Sequence, residues 1–155
     1  MLNSEQKGTI VIITYGVGVV LFLDLVAYLL RLNINKISIA NKTQYILYED
    51  EVFTKLNDKA FKLILVSCFK EQGQAIGQSL CQALYDISNK YKINNFEYHL
   101  KYAKADDFIW VEEVLKQYIP MEAKKVFIMG NYKVEETFKE ILRKNGIREK
   151  QIHCI

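Results

Sequence analysis

The sequence is short of the residues that make tight turns, since its 155 residues include one proline and seven glycines. An all-β fold with many tight turns needs more of both, and a collagen-like chain needs far more glycine. Half of the residues are hydrophobic and the formal net charge is only +3, which excludes general disorder. A chain of this length corresponds to one domain, and its composition favours an α/β or α fold.

Metal-binding and disulfide patterns are also missing. The three cysteines, Cys68, Cys81 and Cys154, form no C-x-x-C pair, and the two histidines are His99 and His153. A zinc site needs about four nitrogen or sulfur ligands at paired spacings, so we expect no metal site. A Cys–His nucleophile pair is conceivable but has no local signature here. We expect three buried or half-buried thiols in a reducing compartment.

Positive charge is not gathered into one region of the chain. There are 21 basic and 18 acidic residues, and the basic pairs Lys124–Lys125 and Arg143–Lys144 stand among glutamates. Mixed signs of this kind indicate solvated surface. Nucleic-acid binders instead present a clustered Lys/Arg face, so we expect no nucleic-acid partner.

One long apolar run, from Thr9 to Leu30, raises the question of a membrane span. It contains one charged residue, Asp24, and its length would suffice to cross a bilayer. However, its first part is β-branched, and the sequence Tyr15-Gly16-Val17-Gly18 then interrupts it. A charge such as Asp24 costs about 2.5–3.5 kcal/mol at a membrane centre. We therefore favour a strand, a glycine turn and a helix over a transmembrane span at residues 9–30.

The rest of the chain alternates between strand and helix patterns. Strands are predicted at residues 9–14, 61–66, 96–100, 125–129 and 151–155, and helices at 21–32, 74–91, 111–118 and 134–144. Residues 33–60 are polar and predict an insertion, with local structure at residues 45–48. Strands alternating with helices of this length indicate parallel pairing through right-handed crossovers. The predicted fold is a single doubly wound (Rossmann-like) α/β domain with a five-stranded parallel sheet.

Ligands of such folds bind at the carboxyl ends of the strands, so the candidate site residues follow three predicted strands. Small residues after the first strand would let amide N–H groups approach a pyrophosphate, although a tight turn explains them equally well. A lysine after the second strand could meet a phosphate or be plain surface, and a glycine after the fourth could admit a flat ring or form a turn. The candidates are Gly16, Val17, Gly18, Val20, Lys70, Met129, Gly130 and Asn131.

The order and spacing of these segments resemble the NAD(P)-binding half of the ferredoxin reductase family, which includes cytochrome b5 reductases and the dehydrogenase domain of NADPH oxidases. IVIITYGVGVVLFLDLVAYLL stands where the family has an apolar strand, a G-T-G-x-x-P turn and a helix. KKVFIMGNYKVEETFKEILRKNGIREKQIHCI resembles the family's last strand, C-G-P turn, helix and short final strand. KLILVSCFKEQGQAIGQSLCQALYDISNKY resembles the second strand and its polar turn.

The chain departs from the family pattern at the residues that would contact a nucleotide. Tyr15 replaces a glycine, Val17 a threonine and Leu21 a proline, while Met129 and Asn131 replace the cysteine and proline of C-G-P. No R-x-[YF]-[ST] flavin motif occurs in these 155 residues. Hydride transfer from NAD(P)H needs a flavin acceptor, so the resemblance implies FAD only through a partner domain.

Two functions follow from the resemblance. In the first, the chain is an accessory or structural subunit of a larger complex, a redox complex among the candidates, with a degenerate nucleotide site and no catalysis of its own. In the second, it is the NAD(P)H-binding half of a flavin-dependent oxidoreductase whose FAD domain lies elsewhere. A Tyr15 side chain over the cleft favours the first, and one that swings out favours the second.

Either function predicts a protein partner, for which a flavin-domain protein or a membrane redox protein is the expectation. It also predicts an intracellular, reducing location, cytoplasmic or mitochondrial, with any membrane association made through the partner.

Overall fold

The computed structural model describes residues 8–40, 61–104, 107, 109–119 and 123–155. Five strands and four α-helices alternate along this part of the chain: β1 (Gly8–Tyr15), α1 (Val20–Ala40), β2 (Phe61–Phe69), α2 (Gln78–Lys90), β3 (Phe96–Tyr102), α3 (Ile109–Tyr118), β4 (Lys125–Met129), α4 (Tyr132–Lys144) and β5 (Ile152–Cys154). Short 3₁₀ turns lie at Gly16–Val19, Gln72–Gln74 and Glu149–Gln151.

The strands form one parallel sheet in the order β3-β2-β1-β4-β5. The chain moves outward from β1 to β3, returns to β4 on the other side of β1, and ends at β5. This reversal places the topological switch point between β1 and β4. The predicted five-stranded, doubly wound parallel sheet is confirmed.

β1 is a strand because both of its faces are buried, which suits a continuous β-branched run. Val11 and Ile13 belong to a hydrophobic core with residues of α3 and α4. Ile10 and Ile12 belong to a second core with residues of α1 and α2. The sheet is therefore covered by α1 and α2 on one face and by α3 and α4 on the other.

Helix α1 is longer than the sequence predicts. It continues to Ala40, whereas the polar residues from Asn33 onward predict its end at Leu32. The first residue of the extension, Asn33, is buried, and its carboxamide pairs with that of Asn95 in two hydrogen bonds of 2.9 and 3.0 Å. The first eight residues of the predicted insertion are thus helical, and its remainder, residues 41–60, lies outside the described residues.

The apolar run from Thr9 to Leu30 divides into the strand β1, a 3₁₀ turn and the start of α1, as predicted. Among the described residues, the helical stretch Gly16–Ser38 is nevertheless long and apolar enough to cross a membrane by length and composition. In the fold, Val26, Leu29 and Leu32 of this stretch are buried in the core. Only 28% of the most apolar window of this stretch is buried, which is less than a core helix normally shows.

Candidate functional site

The candidate site lies at the carboxyl edge of the sheet, which we define as the ends of the five strands with the turns that follow them. Parallel pairing brings Thr14 of β1 beside Met129 of β4, and Tyr15 beside Cys68 of β2. The two predicted turns at Gly16–Val20 and Met129–Asn131 are therefore neighbours at the switch point. Lys70 is exposed and follows β2 at the same edge.

The turn after β1 exposes apolar side chains where a phosphate would need polar ones. Gly16 has a φ of 62°, a left-handed conformation that favours glycine. The side chain of Val17 is 72% exposed and that of Val20 is 49% exposed, while Val19 is buried beneath them. Neither exposed valine side chain can form a hydrogen bond, so any hydrogen bond from this turn to a ligand would come from the backbone N–H groups.

The Met129 side chain at the end of β4 packs against Gly18 in the turn after β1. A Cβ atom on Gly18 would lie 2.4 Å from Cγ of Met129, so the glycine makes room for this methionine. In dinucleotide-binding folds, a glycine at such a turn lets the backbone come close to a pyrophosphate. Here the space beside Gly18 is taken by the Met129 side chain. The two predicted turns meet through this contact.

Polar groups in the turn after β4 form hydrogen bonds with other groups of the same chain. The Oδ1 atom of Asn131 accepts a hydrogen bond of 3.0 Å from the Val134 N–H and so caps α4. Glu135 Oε1 accepts a bond of 3.3 Å from the Gly130 N–H. Asn131, which stands at the family's proline position, is thus explained by capping, and the Gly130 amide already has an acceptor.

The Tyr15 side chain lies across the carboxyl ends of β1 to β3. Its hydroxyl donates a hydrogen bond of 3.1 Å to the carbonyl oxygen of Ala103, which follows β3. Its ring lies 6.4 Å from the ring of Trp110, centroid to centroid, with 24° between the planes. The Tyr15 side chain therefore folds over the strand ends and does not swing out into solvent.

The cysteines and histidines do not form a nucleophile pair among the described residues. Cys68 and Cys81 are buried and Cys154 is half-buried, all three as free thiols, which confirms the predicted burial of the three thiols. Burial raises the pKa of Cys68 above its usual range and that of Cys81 to about 11, so both stay protonated at neutral pH. His99 Nε2 lies 3.5 Å from Glu97 Oε2 on β3. No group of metal-ligating side chains occurs in the described part of the chain.

Solved structures provide the comparison with known proteins. The chain superposes on part of a flavohemoglobin from Malassezia yamatoensis with bound FAD and heme, with a TM-score of 0.56 and 15% identity over 96% of this chain and 31% of that one. It also superposes on the CS-b5R domains of human Ncb5or in the NAD⁺ form, with a TM-score of 0.57 and 14% identity over 99% of this chain and 38% of the other. This chain shares their fold.

The likeness is one of fold, and it confirms the fold that the ferredoxin reductase resemblance implies. The chain spans about a third of the length of these structures. No protein-family model matches the sequence, and no curated protein matches it.

Sequence reasoning missed the residues that complete this edge. Trp110, Ala103 and Glu135 were not among the candidates, although they hold Tyr15 and the Gly130 amide in place. Trp110 was the available signal, because the only tryptophan of the chain stands at the start of a helix that follows a strand. What it contacts depends on tertiary packing alone.

Proposed function

We propose that this chain is a non-catalytic subunit of a larger protein complex, and that it binds a partner through the carboxyl edge of its sheet. The observation that carries the proposal is the Tyr15 side chain, which lies over the strand ends where a nucleotide would bind. Met129 takes the space beside Gly18, and Asn131 and Glu135 take up amide groups of the later turn. The chain keeps the fold, but its own side chains cover the place where a ligand would bind. A fold alone does not imply the family's activity.

Exposed apolar side chains support an interaction at this edge. Of the ten large hydrophobic side chains that are exposed in the described residues, all but Ile34 and Tyr91 lie there. We call these eight the carboxyl rim: Val17, Val20, Leu21, Ile76, Tyr102, Ile109, Tyr132 and Ile155. Three members of the rim, Val17, Val20 and Leu21, are close neighbours along the chain, and contiguous exposed apolar side chains mark an interaction site. The rim is therefore where we place the partner.

The proposed partner is a protein that carries a flavin domain or a membrane redox protein. Support comes from the compared flavohemoglobin, which has bound FAD and is about three times as long as this chain. In this proposal FAD enters the complex only through the partner, and NAD(P)H is not held by this chain. Three free cysteines fit a reducing intracellular compartment, and any membrane association would be made through the partner.

Charge placed on the rim should release the chain from its complex. Leu21 is 62% exposed on the first turns of α1, and Ile34 is 39% exposed near the other end of the same helix. Leu21→Lys is expected to weaken association at least about tenfold, or about 1.4 kcal/mol, because an interface core rejects an unpaired charge. Ile34→Lys, which makes the same change away from the rim, is expected to have little effect.

Native electrophoresis of extracts from the source cells, with detection of the tagged chain, measures this difference. The wild type and Ile34→Lys should migrate in a larger assembly, and Leu21→Lys should migrate as the free chain of 18.1 kDa. A wild-type chain that migrates alone, or a Leu21→Lys variant that stays in the assembly, would contradict the proposal.

A second function, the NAD(P)H-binding half of a flavin-dependent oxidoreductase, is favoured by one observation. The compared CS-b5R domains were solved in the NAD⁺ form, and 99% of this chain superposes on 38% of that structure. That function requires the wild-type carboxyl edge to bind a nucleotide, and titration of the isotope-labelled chain with NADH and with NADPH tests it.

A further inference from the structure

We propose that two copies of this chain form a symmetric dimer, in which β3 of one copy pairs antiparallel with β3 of the other and the two-fold axis passes at His99. The dimer surface is the outer side of β3, whereas the partner of the proposed function binds at the carboxyl rim. The two surfaces share only Tyr102, so the inference goes beyond the proposed function and stands apart from it.

The outer side of β3 carries backbone groups that point away from the sheet. β3 is the last strand in the sheet order, so the described residues place no strand beyond it. The Leu63 N–H donates a hydrogen bond of 2.9 Å to the Asn95 carbonyl, and the Ala103 N–H donates one of 2.9 Å to the Phe69 carbonyl. Odd-numbered residues of this segment therefore direct their backbone groups to β2, and the even-numbered residues of β3 direct theirs outward. Such a row of outward N–H and C=O groups is a template for pairing with another strand.

The charged side chains make β3 complementary to itself. Glu97, His99 and Lys101 follow one another at every second position, on the sheet face that belongs to the core with α3 and α4. When β3 pairs antiparallel about His99, Glu97 of each copy lies opposite Lys101 of the other. These are non-hydrogen-bonded pairs, in which side chains come closest and opposite charges stabilise the sheet. The Glu97 and Lys101 side chains are 36% and 26% exposed, so both are open to a second copy.

One register satisfies both the charges and the backbone. A shift by two residues in either direction sets Glu97 or Lys101 opposite His99 and leaves the other charge without an opposite charge. In the register about His99, every outward backbone group of β3 gains a partner, and Phe96 of each copy lies opposite Tyr102 of the other. Burial lowers the pKa of His99, so the two imidazoles at the axis are uncharged at neutral pH and do not repel each other.

The size of the contact predicts a weak dimer. One strand from each copy buries less than the roughly 1,200 Å² of a stable interface, so we expect a dissociation constant of about 10–100 μM. The dimer then dissociates in a diluted cell extract. This agrees with the migration expected for Leu21→Lys in such an extract.

Sedimentation velocity of the purified wild-type chain, from about 5 μM to about 1 mM, is the first test. The mass should rise from 18.1 kDa towards twice that value. Over the same range, hydrogen exchange measured by NMR should slow at the amides of Tyr98, Leu100 and Tyr102, whose N–H groups point outward. A chain that keeps its monomer mass at the highest concentration overturns the proposal. A dimer in which these amides exchange at an unchanged rate also overturns it.

Charge reversal tests the pairing of Glu97 with Lys101. Glu97→Lys gives a chain with lysine at both positions, and Lys101→Glu gives a chain with glutamate at both. Each variant alone should dimerise at least about tenfold more weakly than the wild type, because like charges then lie opposite each other. An equimolar mixture of the two variants should dimerise about as well as the wild type, since both pairs are again of opposite charge.

Glu140→Lys makes the same charge change at an exposed position of α4 and should leave the dimer unchanged. Circular dichroism and thermal unfolding establish that each variant is folded. A mixture that stays monomeric, or single variants that dimerise as well as the wild type, would contradict the pairing about His99. These outcomes leave the partner proposed for the carboxyl rim unaffected.

Discussion

Phe138→Ala is expected to lower the free energy of unfolding by about 3–5 kcal/mol, a large part of the stability of a small domain. Phe138 is fully buried in the core between the sheet and helices α3 and α4, and its ring packs against Trp110. Truncation to alanine removes this buried surface and leaves a cavity that its neighbours fill only in part. Urea denaturation followed by circular dichroism measures the loss.

Tyr132→Ala on the same helix is the control for this change. The Tyr132 ring is 78% exposed at the first position of α4, so its removal should change stability by less than about 0.5 kcal/mol. Equal losses for the two variants would mean that α4 does not pack on the sheet as described.

Asn95→Leu is expected to lower the free energy of unfolding by about 2–4 kcal/mol, because it leaves two buried residues without their hydrogen-bond partner. The Asn95 carboxamide exchanges two hydrogen bonds with Asn33 of α1, and its Oδ1 also accepts a bond of 3.2 Å from the Ser88 hydroxyl of α2. All three residues are buried. The leucine leaves the Asn33 amide and the Ser88 hydroxyl without partners, at about 1–3 kcal/mol for each group left unsatisfied.

A double-mutant cycle separates the pair from its surroundings. The double variant Asn33→Leu/Asn95→Leu should lose less stability than the sum of the two single variants, by about 1–3 kcal/mol. The second substitution removes the polar group that the first had left without a partner. Asn89→Ala, at an exposed position of α2, supplies the surface control. Strict additivity would contradict the paired arrangement.

The strand–helix order could be predicted because local pattern and burial agree. β1 and β2 are buried on both faces, so a continuous apolar run in the sequence is enough to identify them. The length of α1 could not be predicted in this way. The polar residue Asn33 predicts an end of the helix, but its side chain pairs with Asn95, which is 62 positions away in the chain.

In the candidate site, too, the positions of the turns could be predicted from the sequence, but the contacts of their side chains could not. The turns after β1 and β4 were expected at the carboxyl ends of parallel strands, and both turns lie at that edge of the sheet. The state of that edge was not predictable, because Tyr15 is held by a carbonyl 88 positions along the chain. Asn131 was interpreted as a lost proline, but its side chain has a local role as the cap of α4.

We propose that the wild-type carboxyl edge is covered by the protein's own side chains and does not bind a pyridine nucleotide. The most direct test is a titration of the isotope-labelled chain with NADH and with NADPH, observed at the backbone amides of residues 16–20 and 129–131. We expect these resonances to stay unshifted up to millimolar nucleotide. Saturable shifts at both turns would contradict it and would support the NAD(P)H-binding function instead.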